Sequence, residues 1–445
     1  MAVAVWMVVL TLAPHSQFRL LHVIFHYGLL PLLFGIHSFL RAVRPKAYPP
    51  LRWSWPDLSM GVYLVFTLVS YFWTSGKTSG VIFHMTAVYR NIFVPFAVFG
   101  LVRLTHTRED QIKSWVPVMA FLCLVNVIVS TVAWFRPEML PRIWRGLLVD
   151  IGEIRITGTF TGPGEFSSAI LFFSSFIFQY AVTRKKGWLR SLCVSLCSLG
   201  WVCILLTFQR ASWFALLLVV VIAVMLYARA VLPFDSIGLL TGAVLLIFTL
   251  TIPPEVLRKQ ANMPGTAQRE VSTLNMVNER IHSTSQIRSR IVTGHSGIRM
   301  FIEKPLLGWG YETYNLHSRR FVGPVGSLKI TEYERRATSH NTSITLLAET
   351  GLIGFFLYLF PLGWWLILTI RNRSRLLTSL ASGQFLNSRF FGMLWVNLGY
   401  ILIISQFFDI RFFPLTLVQI WLILGLISNF VQGRYLVQKA NHFND

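Results

Sequence analysis

Residues 341–370 read NTSITLLAETGLIGFFLYLFPLGWWLILTI, and their one charged side chain is that of Glu349. A helix needs about 20 apolar residues to cross a bilayer, and in lipid it has to pair its backbone groups internally. The stretch therefore predicts a membrane-spanning helix. Composition extends this prediction to the whole chain, because 54% of the 445 residues are hydrophobic and 13% are charged.

Apolar runs of similar length recur along the chain and predict an all-α fold, that of a polytopic integral membrane protein with 11–12 transmembrane helices. Residues 2–13 are the twelfth candidate; they lack the basic start of a secretory signal and should be retained, but they are short for a crossing. The other predicted spans lie near residues 18–40, 57–74, 81–102, 114–135, 166–183, 189–208, 211–228, 236–252, 341–370, 390–408 and 412–432.

The loops between these spans orient the chain. Short loops rich in Arg and Lys favour the cytoplasmic side, and the alternation of spans puts all such loops of this chain on one side. Loops of opposite parity, including the long segment 253–340, should face outward. The sequence thus predicts N-terminal helices at 1–252, an outward loop subdomain with amphipathic helices at 253–340 and C-terminal helices at 341–445, within one membrane domain. The basic loops carry Arg41, Arg44, Lys46 and Arg52; Arg103, Arg108 and Lys113; Arg184, Lys185, Lys186 and Arg190; and Arg371, Arg373 and Arg375.

The net charge of +22 has two sources. Much of it lies in the cytoplasmic loops, where it sets topology and meets anionic lipid, so it does not indicate nucleic-acid binding. The outward loop adds 13 Arg or Lys against 7 Glu between Pro253 and Ser339. This excess indicates an anionic substrate or lipid headgroup as partner, and an ordinary solvated surface is the alternative for most of these charges taken singly.

No metal site of recognisable spacing occurs in the sequence. The four cysteines all fall in predicted spans without histidines beside them, which favours small-residue helix packing. The pair Glu332 and Glu334 in the outward loop is a weak metal signal by itself. We therefore expect no metal and no soluble cofactor.

His340 stands in Ser339-His340-Asn341-Thr342, where the outward loop enters the span 341–370. A histidine at the start of a helix feels the positive end of the macrodipole, which lowers its pKa and favours the neutral imidazole. A neutral imidazole at a membrane surface suits a general base. The alternative is that His340 caps the helix or packs at the interface.

Three outward arginines occupy positions suited to phosphate. Arg210 lies in a tight turn between two spans, and Arg155 begins the Gly-rich turn RITGTFTGPG. Arg290 lies on a predicted amphipathic helix, 286–303, which ends before Lys304-Pro305. The planar guanidinium binds phosphate bidentately and stays charged at every relevant pH. For each arginine taken alone, snorkelling or ion pairing is the alternative.

The segment from Arg290 through MFIEKPLLGWG at 300–310, followed by the His340 motif and LAETGLIG at 347–354, resembles the O-antigen ligase and polymerase superfamily. The turn at Gln209-Arg210 is similar to a Ser-Arg segment of that family, with Gln209 in place of the usual Ser. The Arg155 turn is similar to its Arg-x-x-Gly segment. In architecture the resemblance covers about residues 150–430.

The resemblance implies a metal-independent, inverting glycosyltransferase of the bacterial inner membrane, active on its periplasmic side in lipopolysaccharide biosynthesis. It would move a glycan from undecaprenyl diphosphate to a lipid A-core hydroxyl. His340 would be the general base, and the arginines would bind the diphosphate: Arg155, Arg210 and Arg290, the last with Arg280 and Arg288 as rivals. Secondary candidates are Asn341, Glu349, Arg90 and Asp409.

Two other functions stay open at this point. A polymerase of the same superfamily would join one lipid-linked glycan to another, with the same donor, arginines and base. A transporter or flippase of lipid-linked glycans is the more distant alternative, because no paired, broken spans recur in two halves of the chain.

Arg90 and Glu349 are each about 14 Å below the outer surface by helical rise, near the middle of the hydrocarbon core. A lone charge there is costly and should find a partner inside the protein. The sequence therefore suggests that the two pair, directly or through Tyr89 or Asn91, below His340. The alternative is that nearby hydroxyls or carbonyls satisfy each one separately.

Overall fold

The computed structural model confirms an all-α polytopic membrane protein. One β-hairpin, Gly146–Asp150 paired antiparallel with Glu153–Gly158, interrupts the helices. The residues that the structure describes are 2–12, 22–43, 54–74, 80–140, 146–150, 153–160, 162–184, 187–231, 236–251, 285–323, 339–380 and 385–433.

Where the structure describes them, the predicted spans coincide with a helix or with consecutive helices. The helices run Ala2–Leu12, His22–Leu29, Leu30–Val43, Trp55–Val69, Ser70–Trp73, Val81–Val88, Tyr89–Phe93, Val94–Thr105, Glu109–Lys113, Val116–Phe135, Pro137–Met139, Pro163–Thr183, Trp188–Leu205, Arg210–Val231, Ser236–Thr251, Ser285–Glu303, Tyr314–Phe321, Thr342–Arg371, Arg373–Leu380, Ser388–Ile404, Ile410–Phe412 and Pro414–Val431.

Six helical stretches in the described part of the chain are long and apolar enough to cross a membrane: Val81–Thr105, Glu109–Phe135, Pro163–Thr183, Trp188–Leu205, Thr342–Arg371 and Pro414–Val431. Tyr27–Val43, Arg210–Ile222 and Ser388–Ile404 are apolar but shorter. The chain is therefore a multi-pass membrane protein, and the total of 11–12 crossings stays a prediction.

Two compact units make up the chain. The first contains Met1–His26, Arg108–Ser283 and Leu377–Ile401, and the second contains Tyr27–Thr107, Thr284–Leu376 and Leu402–Asp445. Both units are discontinuous, whereas the division predicted from the sequence follows chain order at residues 252 and 340.

In the first unit, Pro163–Thr183 packs against Trp188–Leu205 and Val116–Phe135. The buried Asn126 holds the turn before Pro163–Thr183, because its Oδ1 accepts from the backbone N of Thr159 at 3.0 Å. A side chain at Gly158, whose φ is 57°, would meet that same Oδ1. The Gly-rich turn after Arg155 thus needs its glycine.

In the second unit, Pro414–Val431 packs on Val94–Thr105, and Trp55–Val69 packs on Thr342–Arg371. Asp57, at the start of its helix, caps the helix and pairs with a buried cation. One carboxylate oxygen accepts from the backbone N of Ser54 at 2.7 Å, and the other pairs with the fully buried guanidinium of Arg103. The buried cation is therefore paired, as a low-dielectric interior requires.

Helix Thr342–Arg371 breaks at Gly351, whose φ is 61°. The break frees backbone groups, and the segment Pro305–Gly310 pairs with them. Trp309 N donates to Ala348 O at 3.0 Å and Gly310 N donates to Glu349 O at 2.8 Å. On the other side of the break, Leu352 N donates to Pro305 O at 2.8 Å.

We call the segment Pro305–Gly310 the motif loop. The motif loop, PLLGWG, and the helix segment LAETGL at 347–352 form one backbone-paired unit, which satisfies the backbone of the broken helix internally, as a membrane segment must. Their glycines allow the approach, because a Cβ at Gly308 would lie 2.4 Å from Glu349 backbone atoms. A Cβ at Gly351 would lie 2.3 Å from Leu306 O.

Candidate active site

The His340 turn has a strained backbone. His340 has a φ of 52°, in the left-handed region that side chains other than Gly rarely adopt. Ser339 Oγ donates to Asn341 O at 2.8 Å and accepts from Asn341 N at 3.1 Å, bridging across His340. Residues in such conformations cluster at functional sites because the surroundings have to impose them.

The segment 405–410 imposes this conformation from the other side. Thr342 N donates to Ser405 O at 2.9 Å, and Thr342 Oγ1 donates to Phe408 O at 3.1 Å. Asn341 is the N-cap of helix Thr342–Arg371, where its Oδ1 accepts from Ile344 N at 2.9 Å. Asn341, a secondary candidate for the site, thus caps the helix, and its Nδ2 also donates to Gln406 O at 3.0 Å.

His340 is half-buried beside one cation and one carboxylate. Burial and the positive charge of Arg290 lower the pKa of His340 below its usual 6.5, while Asp409 opposes that shift. The direction is the one predicted from the sequence, although the cause differs. His340 lies one residue before the N-cap, so burial and Arg290 take the place of the macrodipole. Within the described residues, no group hydrogen-bonds the imidazole ring.

Arg290 lies on helix Ser285–Glu303, which confirms the helix predicted at 286–303. Its guanidinium carbon is 5.8 Å from the centroid of the Phe407 ring, within cation–π range. One turn further along, Thr293 Oγ1 donates to Ser339 O at 3.4 Å. Helix, His340 turn and segment 405–410 thus hold the cation and the imidazole in one neighbourhood.

Arg411 follows Asp409 by two residues and was not among the site residues predicted from the sequence. Its Nη1 is 2.6 Å from Glu349 Oε2, and its Nη2 is 2.5 Å from Asp409 Oδ2. The Arg411 side chain is 6% exposed, and those of Glu349 and Asp409 are 1% exposed each. We call these three residues the arginine–carboxylate cluster. Its signal in the sequence was Asp409-Ile410-Arg411 at an outward turn.

The suggested direct pairing of Arg90 with Glu349 is wrong. Glu349 pairs with Arg411, while Arg90 Nε donates to Asn91 Oδ1 at 2.9 Å. Asn91 Nδ2 then donates to Glu312 Oε1 at 2.7 Å, and that oxygen is 3.9 Å from Arg411 Nη1. The alternative of a bridge through one neighbour is wrong as well, because Asn91, Glu312 and Arg411 all stand between Arg90 and Glu349.

Glu349 also holds backbone in place. Its two carboxylate oxygens accept from the N–H groups of Glu312 and Tyr314, each at 2.9 Å. Glu312 has a φ of 61°, so this turn is strained as well. The carboxylate therefore fixes the chain after the motif loop in addition to neutralising Arg411.

Arg155 and Arg210 belong to the first unit, where their segments adjoin each other. Ile156 N donates to Leu206 O at 3.3 Å. Phe208, two residues before Arg210, has a φ of 51°. Gln209 is buried and its Oε1 accepts from Ser212 Oγ at 3.1 Å. The structure therefore brings these two arginines into one region, half-buried, next to a strained turn.

Arg280, Glu332 and Glu334 lie outside the described residues. Arg288 lies on helix Ser285–Glu303, and its side chain is outside the described part. Within the described part, Arg290 is the arginine that the structure brings to His340.

A sequence model of the family described as O-antigen ligase matches residues 194–359. The matched part of the chain is similar to that family and includes Arg210, Arg290, the motif loop and His340. The match confirms the predicted resemblance to the O-antigen ligase and polymerase superfamily. No curated protein matches this sequence. The O-antigen ligase match supports a membrane glycosyltransferase of the ligase or polymerase kind.

Proposed function

We propose that this protein transfers a glycan from a polyprenyl diphosphate donor, undecaprenyl diphosphate in bacteria, to a lipid A-core hydroxyl, with His340 as general base. The site would face the periplasm at the inner membrane. The observation that carries the proposal is the His340 turn. Its imidazole has a lowered pKa, lies beside Arg290, and is held in a strained backbone conformation by contacts on both sides.

The reaction balances without a cofactor. The imidazole takes the proton of the acceptor hydroxyl as that oxygen attacks the anomeric carbon of the donor. The bond from this carbon to the diphosphate oxygen breaks, and the diphosphate leaves with the electron pair. Attack from the face opposite the leaving group inverts the anomeric configuration. A neutral imidazole is the form that accepts the proton, and the lowered pKa of His340 favours it.

Arginines would stabilise the charge that develops on the leaving diphosphate. We assign this role to Arg290, because it lies beside His340, and to Arg210 and Arg155 through their place in the family-like turns. Fixed cations aimed at a developing charge are an effective source of catalysis in a dry site. Replacement of Arg210 by Lys should restore only part of the activity that Ala loses, because an ammonium cannot bind phosphate bidentately.

Reconstitution with defined acceptors tests the function. Purified full-length protein is given the lipid-linked donor with either lipid A-core or a second donor molecule. A single addition to lipid A-core supports the ligase. A ladder of lengths on the polyprenyl diphosphate makes the protein a polymerase. No covalent product with either acceptor, together with donor movement across vesicles, makes it a transporter.

Metal dependence has a separate test. If arginines neutralise the diphosphate, EDTA leaves the transfer rate unchanged. A loss of rate that magnesium or manganese restores would contradict the metal-independent mechanism and direct attention to Glu332 and Glu334.

A further inference from the structure

A cavity of about 790 Å³ lies in the first unit, away from the Arg155 and Arg210 turns. It opens between the end of helix Pro163–Thr183, the start of Trp188–Leu205 and the start of Ser388–Ile404. The first helix is about 30 Å long at 1.5 Å per residue, so the cavity lies at the far end of that helix from the Gly-rich turn. Its lining is Lys113, Val182, Thr183, Arg184, Gly187, Trp188, Leu189, Arg190, Phe385, Asn387 and Arg389.

The charged residues of the described lining are all cationic, and one carboxylate, that of Glu109, adjoins the lining through the backbone N of Phe385. Four of its residues are cationic, namely Lys113, Arg184, Arg190 and Arg389, and none of the described lining residues is acidic. Lys185 and Lys186 follow Arg184 in the sequence. Cations grouped around one cavity favour an anionic ligand over a cationic one.

Two helices add their positive ends to this charge. Trp188–Leu205 begins at the cavity with Gly187 as N-cap, which has no side chain to accept from the first N–H groups. Arg190 lies in that first turn, and Arg389 lies in the first turn of Ser388–Ile404. Basic residues are normally unfavourable at a helix start, whereas an anion is favourable there. The arrangement therefore suits an anionic ligand.

The cavity is built from fixed parts. Phe385 is tied on both sides, because its N donates to Glu109 Oε1 at 3.1 Å and its O accepts from Gln179 Nε2 at 2.5 Å. Arg184 Nη2 donates to the Tyr180 hydroxyl at 2.5 Å, with its guanidinium 4.7 Å from the ring centroid. Asn387 caps Ser388–Ile404 through Phe390 N at 2.9 Å.

Apolar groups accompany the charge at this end of the bundle. Trp188 is 78% exposed and Leu192, one turn along the same helix, is 54% exposed. Val182, Leu189 and Phe385 line the cavity itself. An indole at a helix end with apolar neighbours is typical of the membrane interface. A ligand with both an anionic head and apolar chains matches this combination better than a soluble anion does.

We propose that this cavity binds the headgroup of an anionic phospholipid of the surrounding leaflet, with its phosphate held by Arg184, Arg190 and Arg389 and its acyl chains along Trp188 and Leu192. We call it the basic lipid site. Basic pockets between helix ends on the cytoplasmic side are suited to anionic headgroups. The positive-inside prediction places the Lys113 and Arg184–Arg190 loops on that side. The site is separate from the proposed transfer chemistry and does not depend on it.

The test compares two triple variants of the full-length protein that lose the same charge on the same predicted face. The site variant combines Arg184→Gln, Arg190→Gln and Arg389→Gln. The control combines Arg371→Gln, Arg373→Gln and Arg375→Gln, which lie at the end of helix Thr342–Arg371 and in helix Arg373–Leu380, outside the cavity. Each protein is purified, reconstituted in phosphatidylcholine nanodiscs with or without phosphatidylglycerol, and assayed for thermal unfolding. Native mass spectrometry counts the phosphatidylglycerol that stays bound.

We expect phosphatidylglycerol to stabilise the natural protein and the control, and to bind the site variant at least tenfold more weakly. Each neutralised arginine at an anionic surface weakens attraction by about fivefold. Equal losses in both variants would mean diffuse surface attraction and would overturn the site. So would stabilisation by inorganic phosphate in pure phosphatidylcholine that matches the effect of phosphatidylglycerol, since the ligand would then be a soluble anion.

A fold-preserving series covers the case in which the site variant does not express. Arg184→Lys, Arg190→Lys and Arg389→Lys keep the charge but remove the bidentate fork. Combined, they should bind phosphatidylglycerol severalfold more weakly than the natural protein does. Unchanged binding in this combination would contradict the assignment of these arginines to the phosphate.

Discussion

His340 with Arg290 and the arginine–carboxylate cluster are two charged groups of the second unit with opposite characters. Arg411 is buried and forms ion pairs with the carboxylates of Asp409 and Glu349. The Glu349 carboxylate also accepts hydrogen bonds from two backbone N–H groups. His340 is half-buried beside the cation Arg290, and no described residue hydrogen-bonds its ring. Charged groups whose partners surround them therefore stabilise the structure, whereas a group on a strained turn whose ring has no described hydrogen bond is available for chemistry.

The largest expected effect comes from removing the cation of the arginine–carboxylate cluster. Arg411→Met leaves the carboxylates of Asp409 and Glu349 buried without their cation, and should lower the free energy of unfolding by about 3–5 kcal/mol. Thermal unfolding in detergent measures the loss. Arg90→Met is the matched control, because Arg90 is half-buried and donates to Asn91. A similar loss in both variants would refute the distinction.

Replacement of His340 should have the opposite effect, with a large loss of activity and little loss of stability. His340→Asn is the sharpest variant, because Asn tolerates the left-handed backbone and keeps the turn intact. Transfer should fall by about 10²–10⁴-fold, with the melting temperature close to that of the natural protein. His340→Ala keeps a Cβ in the left-handed region without the tolerance that Asn has there, so it should be less stable than His340→Asn. A natural rate in His340→Asn would rule out the general base.

The break in helix Thr342–Arg371 supports both groups, and a pair of glycines probes it. Gly351→Ala places a Cβ 2.3 Å from Leu306 O at a φ of 61° and should cost about 1–3 kcal/mol. Gly363→Ala, in the same helix, meets nothing within 4 Å and should be neutral or stabilise by up to about 1 kcal/mol. Thermal unfolding compares the two. Equal stability would mean that the paired motifs yield easily.

The smallest expected effect is a shift in a pH profile. A protonated imidazole cannot accept a proton, so the rate should fall about tenfold per pH unit below the pKa of His340, which lies below 6.5. Arg290→Gln removes a cation that lowers this pKa, so the acid limb should move to higher pH. Arg290→Lys should leave the limb in place. If the acid limb of the pH–rate profile stays fixed in Arg290→Gln, Arg290 does not influence the pKa of the general base.

The fold was predictable from sequence because one physical rule dominates in lipid. Apolar length fixes where helices occur, and the predicted spans coincide with helices where the structure describes them. The position of His340 was predictable for the same reason, because it directly precedes a long apolar span. The helix that carries Arg290 was predictable from its amphipathic pattern. The family motifs added their order along the chain.

Charge pairing was not predictable in the same way. The depth of Glu349 below the membrane surface predicted that it needs a partner. It did not identify that partner, because helical rise does not show which turn extends inward. Arg411 lies only two residues after Asp409, in a segment read as a loop. The cause of the lowered pKa of His340 was likewise hidden, since its offset from the helix start depends on the cap at Asn341.

The backbone pairing of the motif loop with the broken helix constrains how this protein can be rebuilt. Side chains of the two motifs hardly enter that pairing, so what has to match is chain length and the placement of Gly308 and Gly351. A chimera that exchanges the outward segment with a homologue should therefore carry Pro305–Gly310 and residues 348–352 together, as one cassette. A junction placed between them would separate the two halves of a single hydrogen-bonded joint.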